Sequence, residues 1–274
     1  MKTILAKKHG FCFGVQRAVD CVLKLKGPVN TLGPLIHNPQ FVKELEKKGI
    51  KSVDSIKQIE TDKVIIRTHG LSDALINQIK DEGKGVIDLT CPFVKTVQNH
   101  AKELEQKGYQ VIIVGKKGHP EVIAIKDNLN YALVINTVEE ARSLKQYSKI
   151  GVVAQTTQTL DNLTKINNEI KQHTKEVKLI NTICSATQER QEAALELAKQ
   201  VDIMIVVGGK NSSNTKQLAD LCTTIVETHL IETEEDINED WFKGKNLAGI
   251  SAGASTPENI IKKVKERLSS LKED

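Results

Sequence analysis

Short, mainly apolar runs alternate along the chain with longer stretches in which apolar residues recur at every third or fourth position. The runs at 64–67, 86–89, 111–115, 151–154, 203–207 and 247–250 read as strands. The periodic stretches at 15–26, 93–107, 159–173, 187–199 and 257–268 read as amphipathic helices. A strand that is apolar on both faces must be covered on both, so the pattern predicts small parallel sheets flanked by helices, an α/β fold. The longest apolar runs, such as 203–207, are far too short to span a bilayer. The opening MKTILAKKHG has basic residues but no apolar core of the kind a signal peptide needs, which predicts a cytoplasmic chain.

A long repeat underlies the alternation. Cys12, Cys91 and Cys184 lie 79 and 93 residues apart, and each is followed by a helical run and then a short strand ending in glycine and a polar cluster. The clusters place His37, His119 and Ser212 at 25, 28 and 28 residues beyond their cysteines. A further strand leads to a second polar cluster, with His69, Thr156 and Ser255 at offsets of 57, 65 and 71, and then to another helix. The chain therefore reads as three similar lobes, 1–90, 91–183 and 184–274. In each lobe the polar positions fall just after a strand and just before a helix. Such positions lie at the carboxyl ends of parallel strands, where ligands bind and helix N-termini favour anions.

Composition narrows the partners. The 274 residues carry a formal net charge of +4, with 39% hydrophobic and 27% charged residues, which suits a globular chain and excludes a disordered one. Lys and Glu are interleaved, and there are only three Tyr, five Phe and one Trp, so nothing points to nucleic acid. Arg17, Arg67, Arg142, Arg190 and Arg267 are scattered, so an anion site is expected to draw on other donors. Gly208-Gly209-Lys210 lacks the spacing and the Ser or Thr of a P-loop, and no GxGxxG follows a strand.

Five cysteines, an odd number with no CxxC pair, speak against a disulfide framework or a zinc ribbon. Cys21 and Cys222 lie among apolar residues at helical spacing and read as core. Cys12, Cys91 and Cys184 sit at strand-to-helix junctions. They are either small core residues too or shared ligands, and recurrence at one step of three lobes favours ligands. Three thiolates suit an iron–sulfur cluster better than a structural zinc, which wants a fourth protein ligand. His37, His69 and His119, with Ser212, Ser213, Asn214 and Ser255, offer donors to a phosphate. Helix capping is the plainer reading of the serines and Asn214, and it is compatible with anion binding. Glu121, just after Pro120, reads first as a stabiliser of a helix start. The alternative is a proton donor with Thr156 as its relay.

Nine segments, taken in order, resemble one family. They are GFCFGV around Cys12, LIHNP at His37, RTHG at His69, DLTCPFV at Cys91, GKKGHPEV at His119 and Glu121, AQTT at Thr156, NTICSATQERQ at Cys184, NSSNT from Ser212 to Asn214, and SAGAS at Ser255. The chain resembles, over essentially its whole length, the 4-hydroxy-3-methylbut-2-enyl diphosphate reductase (LytB/IspH) family. The resemblance implies a pseudo-threefold trefoil of three α/β lobes around a central [4Fe–4S] cluster held by Cys12, Cys91 and Cys184, with one open iron. It implies a diphosphate substrate bound by His37, His69, His119, Thr156, Ser212, Ser213, Asn214 and Ser255. Glu121, with Thr156 and His119, would deliver protons as two electrons remove a hydroxyl as water, giving isopentenyl and dimethylallyl diphosphate. A ferredoxin or flavodoxin would supply the electrons, with no nucleic-acid or membrane partner. The nearest rival is a three-cysteine [4Fe–4S] dehydratase of quinolinate-synthase type, which uses the open iron as a Lewis acid with no net electron uptake.

Overall fold

The computed structural model describes residues 1–271. In chain order the elements are β1 (Lys2–Leu5), α1 (Phe13–Leu23), β2 (Val29–Leu32), α2 (Pro39–Lys47), β3 (Ile50–Val53), β4 (Lys63–Ile66), α3 (Asp73–Asp81), β5 (Gly85–Asp88), α4 (Pro92–Gln106), β6 (Gln110–Val114) and α5 (Pro120–Lys126). They continue with β7 (Leu133–Ile135), α6 (Val138–Arg142), β8 (Tyr147–Ala154), α7 (Leu160–Ile170), β9 (Thr174–Leu179), α8 (Ser185–Ala198), β10 (Ile203–Val207), α9 (Ser213–Thr223), β11 (Thr228–Ile231), β12 (Leu247–Ala252) and α10 (Glu258–Ser270).

The strands form three four-stranded parallel sheets, in the α/β class expected from the sequence. Their orders are β3-β2-β4-β5, β7-β6-β8-β9 and β11-β10-β12-β1. One rule generates all three: the first and third strands of a set lie inside, the second and fourth at the edges. In the last sheet the fourth strand is the N-terminal β1, which pairs with β12 in the register Lys2 to Leu247 through Leu5 to Ile250. The fourth strands β1 and β9 carry charged residues and no fully buried one: β1 alternates exposed and half-buried residues, and β9 reads TKEVKL. Charged residues suit an edge because they oppose pairing with another chain.

This pairing changes how the chain divides. The boundaries expected after residues 90 and 183 make each cysteine the opening of a lobe, with Cys12 beside His37 and His69. The sheets instead join each cysteine to the strand before it, Cys12 to β1, Cys91 to β5 and Cys184 to β9. Cys12 thus goes with the sheet of β10–β12. The physical reason is that the cysteine closes a finished sheet, and the helix after it begins the crossover to the next. By compactness the chain forms two units. One comprises Met1–Gln16, Ile36–Glu44 and the chain from Ser185, and the other Arg17–Leu35 with Leu45–Cys184.

Each unit has its own core. In the first, β10 is buried throughout: Ile203, Ile205 and Val207 pack with Ile260, Ile261 and Val264 of α10 on one face. Met204 and Val206 pack with Leu197 of α8 and Leu218 and Cys222 of α9 on the other. In the second unit Ile112 and Val114 of β6 meet Leu163 and Ile166 of α7, while Val111 and Ile113 meet Val97 and Leu104 of α4. Alternate residues of one strand feeding two buried faces is why these strands read as unbroken apolar runs. Among the described residues no helix is long and apolar enough to cross a membrane.

Candidate active site

Nine of the singled-out side chains hang from equivalent points. His37, His119 and Ser212 follow the first strand of each sheet (β2, β6 and β10), and His69, Thr156 and Ser255 follow the third (β4, β8 and β12). Cys91, Cys184 and Cys12 follow the fourth (β5, β9 and β1). All therefore lie at carboxyl ends of parallel strands, ahead of a helix. The backbone repeats as well. The N–H of Cys91 donates to Thr68 O (3.0 Å), that of Cys184 to Thr156 O (2.9 Å) and that of Cys12 to Ala254 O (3.2 Å). Each cysteine is thus fastened to the loop of the third strand of its own sheet. All three are half-buried, whereas Cys222 lies in the core, where burial pushes its thiol up to about 11.

In the second unit these loops build an acid site. His119 caps α5, its Nδ1 accepting the Glu121 N–H at 3.2 Å, which in the neutral ring leaves the proton on Nε2. The rings of His69 and His119 meet edge to face at 5.5 Å. Glu121 is only 2% exposed, and its two carboxylate oxygens accept from Thr156, Oε1 from the N–H at 2.7 Å and Oε2 from the hydroxyl at 2.8 Å. Burial pushes the carboxyl up to about 7, against the opposing pull of those two hydrogen bonds. Glu121 does stand in the first turn of a helix, as the plainer reading of the sequence had it. A carboxyl serving only as a helix-start charge would face water, however, and this one is buried and bonded across to the neighbouring loop.

In the first unit the same strand ends carry neutral donors. Ser212 is an N-cap, its Oγ accepting the Thr215 N–H at 3.3 Å, and Ser213 opens α9 half-buried. Ser255 does not cap. Its hydroxyl donates to the His37 carbonyl at 3.1 Å. That carbonyl also explains Gly209, where a methyl would meet it at 2.5 Å. Asn214 is 4% exposed, and among the described residues neither its amide nitrogen nor its oxygen has a hydrogen-bond partner. A buried amide left unmatched costs about 1–3 kcal/mol, so the residue is not there for stability. Asn214→Leu is expected to raise Tm by about 2–4 °C per kcal/mol recovered and to abolish binding of a diphosphate ligand. Thermal melts and calorimetric titration of the variant check both halves.

Arg17 and Arg190, which look merely scattered in the sequence, hold the cysteine loops. Arg17 Nη2 donates to Leu89 O (3.1 Å) and Thr90 O (2.7 Å), the carbonyls ahead of Cys91. Arg190 donates through Nε (3.3 Å) and Nη2 (2.8 Å) to Gly10 O, ahead of Cys12. Each arginine lies on the helix that follows one cysteine and clamps the approach to another. The signal was an arginine five or six residues after two of the three aligned cysteines.

Comparison with known proteins gives one answer along the whole chain. The family model described as LytB protein matches residues 3–269. The curated 4-hydroxy-3-methylbut-2-enyl diphosphate reductase of Pelobacter propionicus is 44% identical, with 99% of each chain covered. That of Nautilia profundicola is 44% identical over 97% of this chain and 98% of its own. A solved structure described as (E)-4-hydroxy-3-methyl-but-2-enyl diphosphate reductase, the terminal enzyme of the non-mevalonate pathway, matches with a TM-score of 0.72 at 43% identity, covering 98% of this chain and 99% of that one. The E-1-hydroxy-2-methyl-but-2-enyl-4-diphosphate reductase of Plasmodium falciparum matches with a TM-score of 0.92 at 28% identity, covering 98% and 88%. Matched by that family model over nearly its whole length, the chain belongs to the LytB family.

Proposed function

We propose that this protein is a cytoplasmic reductase that converts (E)-4-hydroxy-3-methylbut-2-enyl diphosphate to isopentenyl and dimethylallyl diphosphate. The carbon–oxygen bond of the 4-hydroxyl breaks, two electrons enter, one proton leaves with the oxygen as water, and a second is taken up at carbon. The observation that carries this reading is Glu121, a buried carboxyl whose pKa of about 7 lets it hold a proton at neutral pH and still release it. Thr156, bonded to both of its oxygens, is the relay, and the Nε2–H of His119 is a second donor.

The thiol set fits an iron–sulfur cluster. Cys12, Cys91 and Cys184 are half-buried at one step of three sheets with the same backbone bond, and soft thiolates are the ligands such clusters take. They would hold a [4Fe–4S] cluster with one iron free of protein ligands. When bound, the cluster supplies single electrons and Lewis acidity. Asn214, Ser212, Ser213, Ser255 and His37 are the donors the first unit supplies for the diphosphate, and His69, His119 and Thr156 those of the second. Uncharged donors and imidazoles suit a multiply charged substrate that must later leave. A ferredoxin or flavodoxin is the proposed electron source.

The test is anaerobic turnover of the hydroxylated C5 diphosphate with and without dithionite. Formation of the two C5 diphosphates only with reductant is the expected result. Conversion at the same rate without reductant would point to Lewis-acid dehydration and overturn the reductase reading.

A further inference from the structure

Arg67 directly follows β4, one residue before Thr68 and two before His69, and it is unlike the other arginines. Arg17 and Arg190 bind carbonyls, Arg142 pairs with Glu169 at 3.5 Å, and Arg267 pairs with Glu239. Among the described residues Arg67 has no ion pair, and its Nε is buried without a partner. Burial lowers its pKa, so the charge is held at a cost. The guanidinium lies against Gly33, whose φ of +73° and missing side chain make the room: a methyl there would overlap it.

The group faces a cavity of about 500 Å³ within the second unit. Its apolar wall includes Ile56, Leu71 and Ile123, the last 44% exposed, and Lys57 brings a second cation. Asp54 and Asp127 also line it, but both are exposed and neither pairs with Arg67 or Lys57. A volume of this size holds a small ligand. A planar fork of donors with no acceptor is the standard partner of a carboxylate or phosphate.

We propose that this cavity is a second small-molecule site, for an amphiphilic anion. Its phosphate or carboxylate head sits on Arg67, with Lys57 nearby, and its short apolar body lies along Leu71, Ile56 and Ile123. The occupant is distinct from the substrate of the proposed reaction, and the proposal stands or falls without it.

Calorimetric titration of the full chain, purified anaerobically, tests it. The probes are dimethylallyl monophosphate, 4-methylpentanoate and inorganic phosphate, and the background is Asn214→Ala, which removes an anion donor of the first unit. One equivalent of dimethylallyl monophosphate is expected to bind at least tenfold more tightly than inorganic phosphate. Adding Arg67→Gln should weaken it tenfold or more, and adding Lys57→Glu several-fold. The Lys57 position is exposed, so that variant carries the test if Arg67→Gln does not fold. Tighter binding of 4-methylpentanoate than of dimethylallyl monophosphate would assign the head to a carboxylate, and weaker binding to a phosphate. Affinity unchanged by both substitutions, or no preference for the apolar probes over inorganic phosphate, would overturn the proposal.

Discussion

Glu121→Gln is expected to lower kcat by about a thousandfold, within the 10²–10⁴ range typical of a lost general acid, while the protein stays folded. The geometry makes the substitution clean. Gln keeps an oxygen for the Thr156 N–H, and its amide can donate to the Thr156 hydroxyl in place of accepting from it. What disappears is the proton. The pH dependence should show the same group, because burial raises the carboxyl to about 7. Wild-type turnover should therefore fall above pH 7 as the acid ionises, and the residual rate of the variant should lose that limb. The substitution should move stability the opposite way from activity. The native state keeps the Glu121 proton to higher pH than the unfolded chain does, so the wild type loses stability as pH rises from 4.5 towards 7. At 1.36 kcal/mol per pKa unit the burden above pH 7 is about 3 kcal/mol. The Gln variant does not carry it. It should be more stable than wild type at pH 8 and equal to it near pH 4, as denaturant titrations at the two pH values would show. A variant that is less stable at pH 8 and still turns over would remove Glu121 from the proton path. A residue whose replacement stabilises the fold and stops the reaction is retained for chemistry.

Much of this was legible in the sequence, and what was not has definite causes. The buried strands β10 and β6 showed because both of their faces are apolar, and the helices after each cysteine showed through their period. The polar clusters could be placed because strand, turn and helix follow one another closely. Of the edge strands only β5 showed, as the run at 86–89. β9 carries charges on both faces, and β1 has only four residues whose partner, β12, lies at the far end of the chain. No local pattern announces that pairing, so the sequence groups Cys12 with His37 and His69, whereas the strand before it, β1, pairs with β12. Glu121 was ambiguous for a different reason. An acid after proline at a helix start has a sufficient local explanation, and only the position of the Thr156 loop reveals its burial. Arg17 and Arg190 were passed over because the expectation for arginine was a phosphate clamp, whereas here the acceptors are backbone carbonyls.

Cys91→Ser is expected to empty the protein of iron. Wild-type protein isolated anaerobically should carry about four iron and four acid-labile sulfide per chain, the content of one cube cluster. The serine variant should carry essentially none, because an alcohol is neither soft nor ionised at neutral pH, and a cube left with two thiolates is open to loss. The internal control is Cys222→Ser. That thiol is fully buried among Leu197, Leu218 and Met204, and burial keeps it protonated to about pH 11. Its replacement should cost about 1–3 kcal/mol for a buried hydroxyl without a partner and leave iron and sulfide untouched. Cys12→Ser and Cys184→Ser should behave as Cys91→Ser does, since the three residues share one strand end, one exposure and one backbone bond. Full iron in any one of the three would free that cysteine of a ligand role and break the equivalence on which the cluster assignment rests. Loss of iron in Cys222→Ser as well would mean that iron content reports general instability, and the variants would then have to be compared at matched Tm. The prediction is thus a contrast between cysteines, and it is as strong as the difference between a thiol at the end of an edge strand and a thiol in a core.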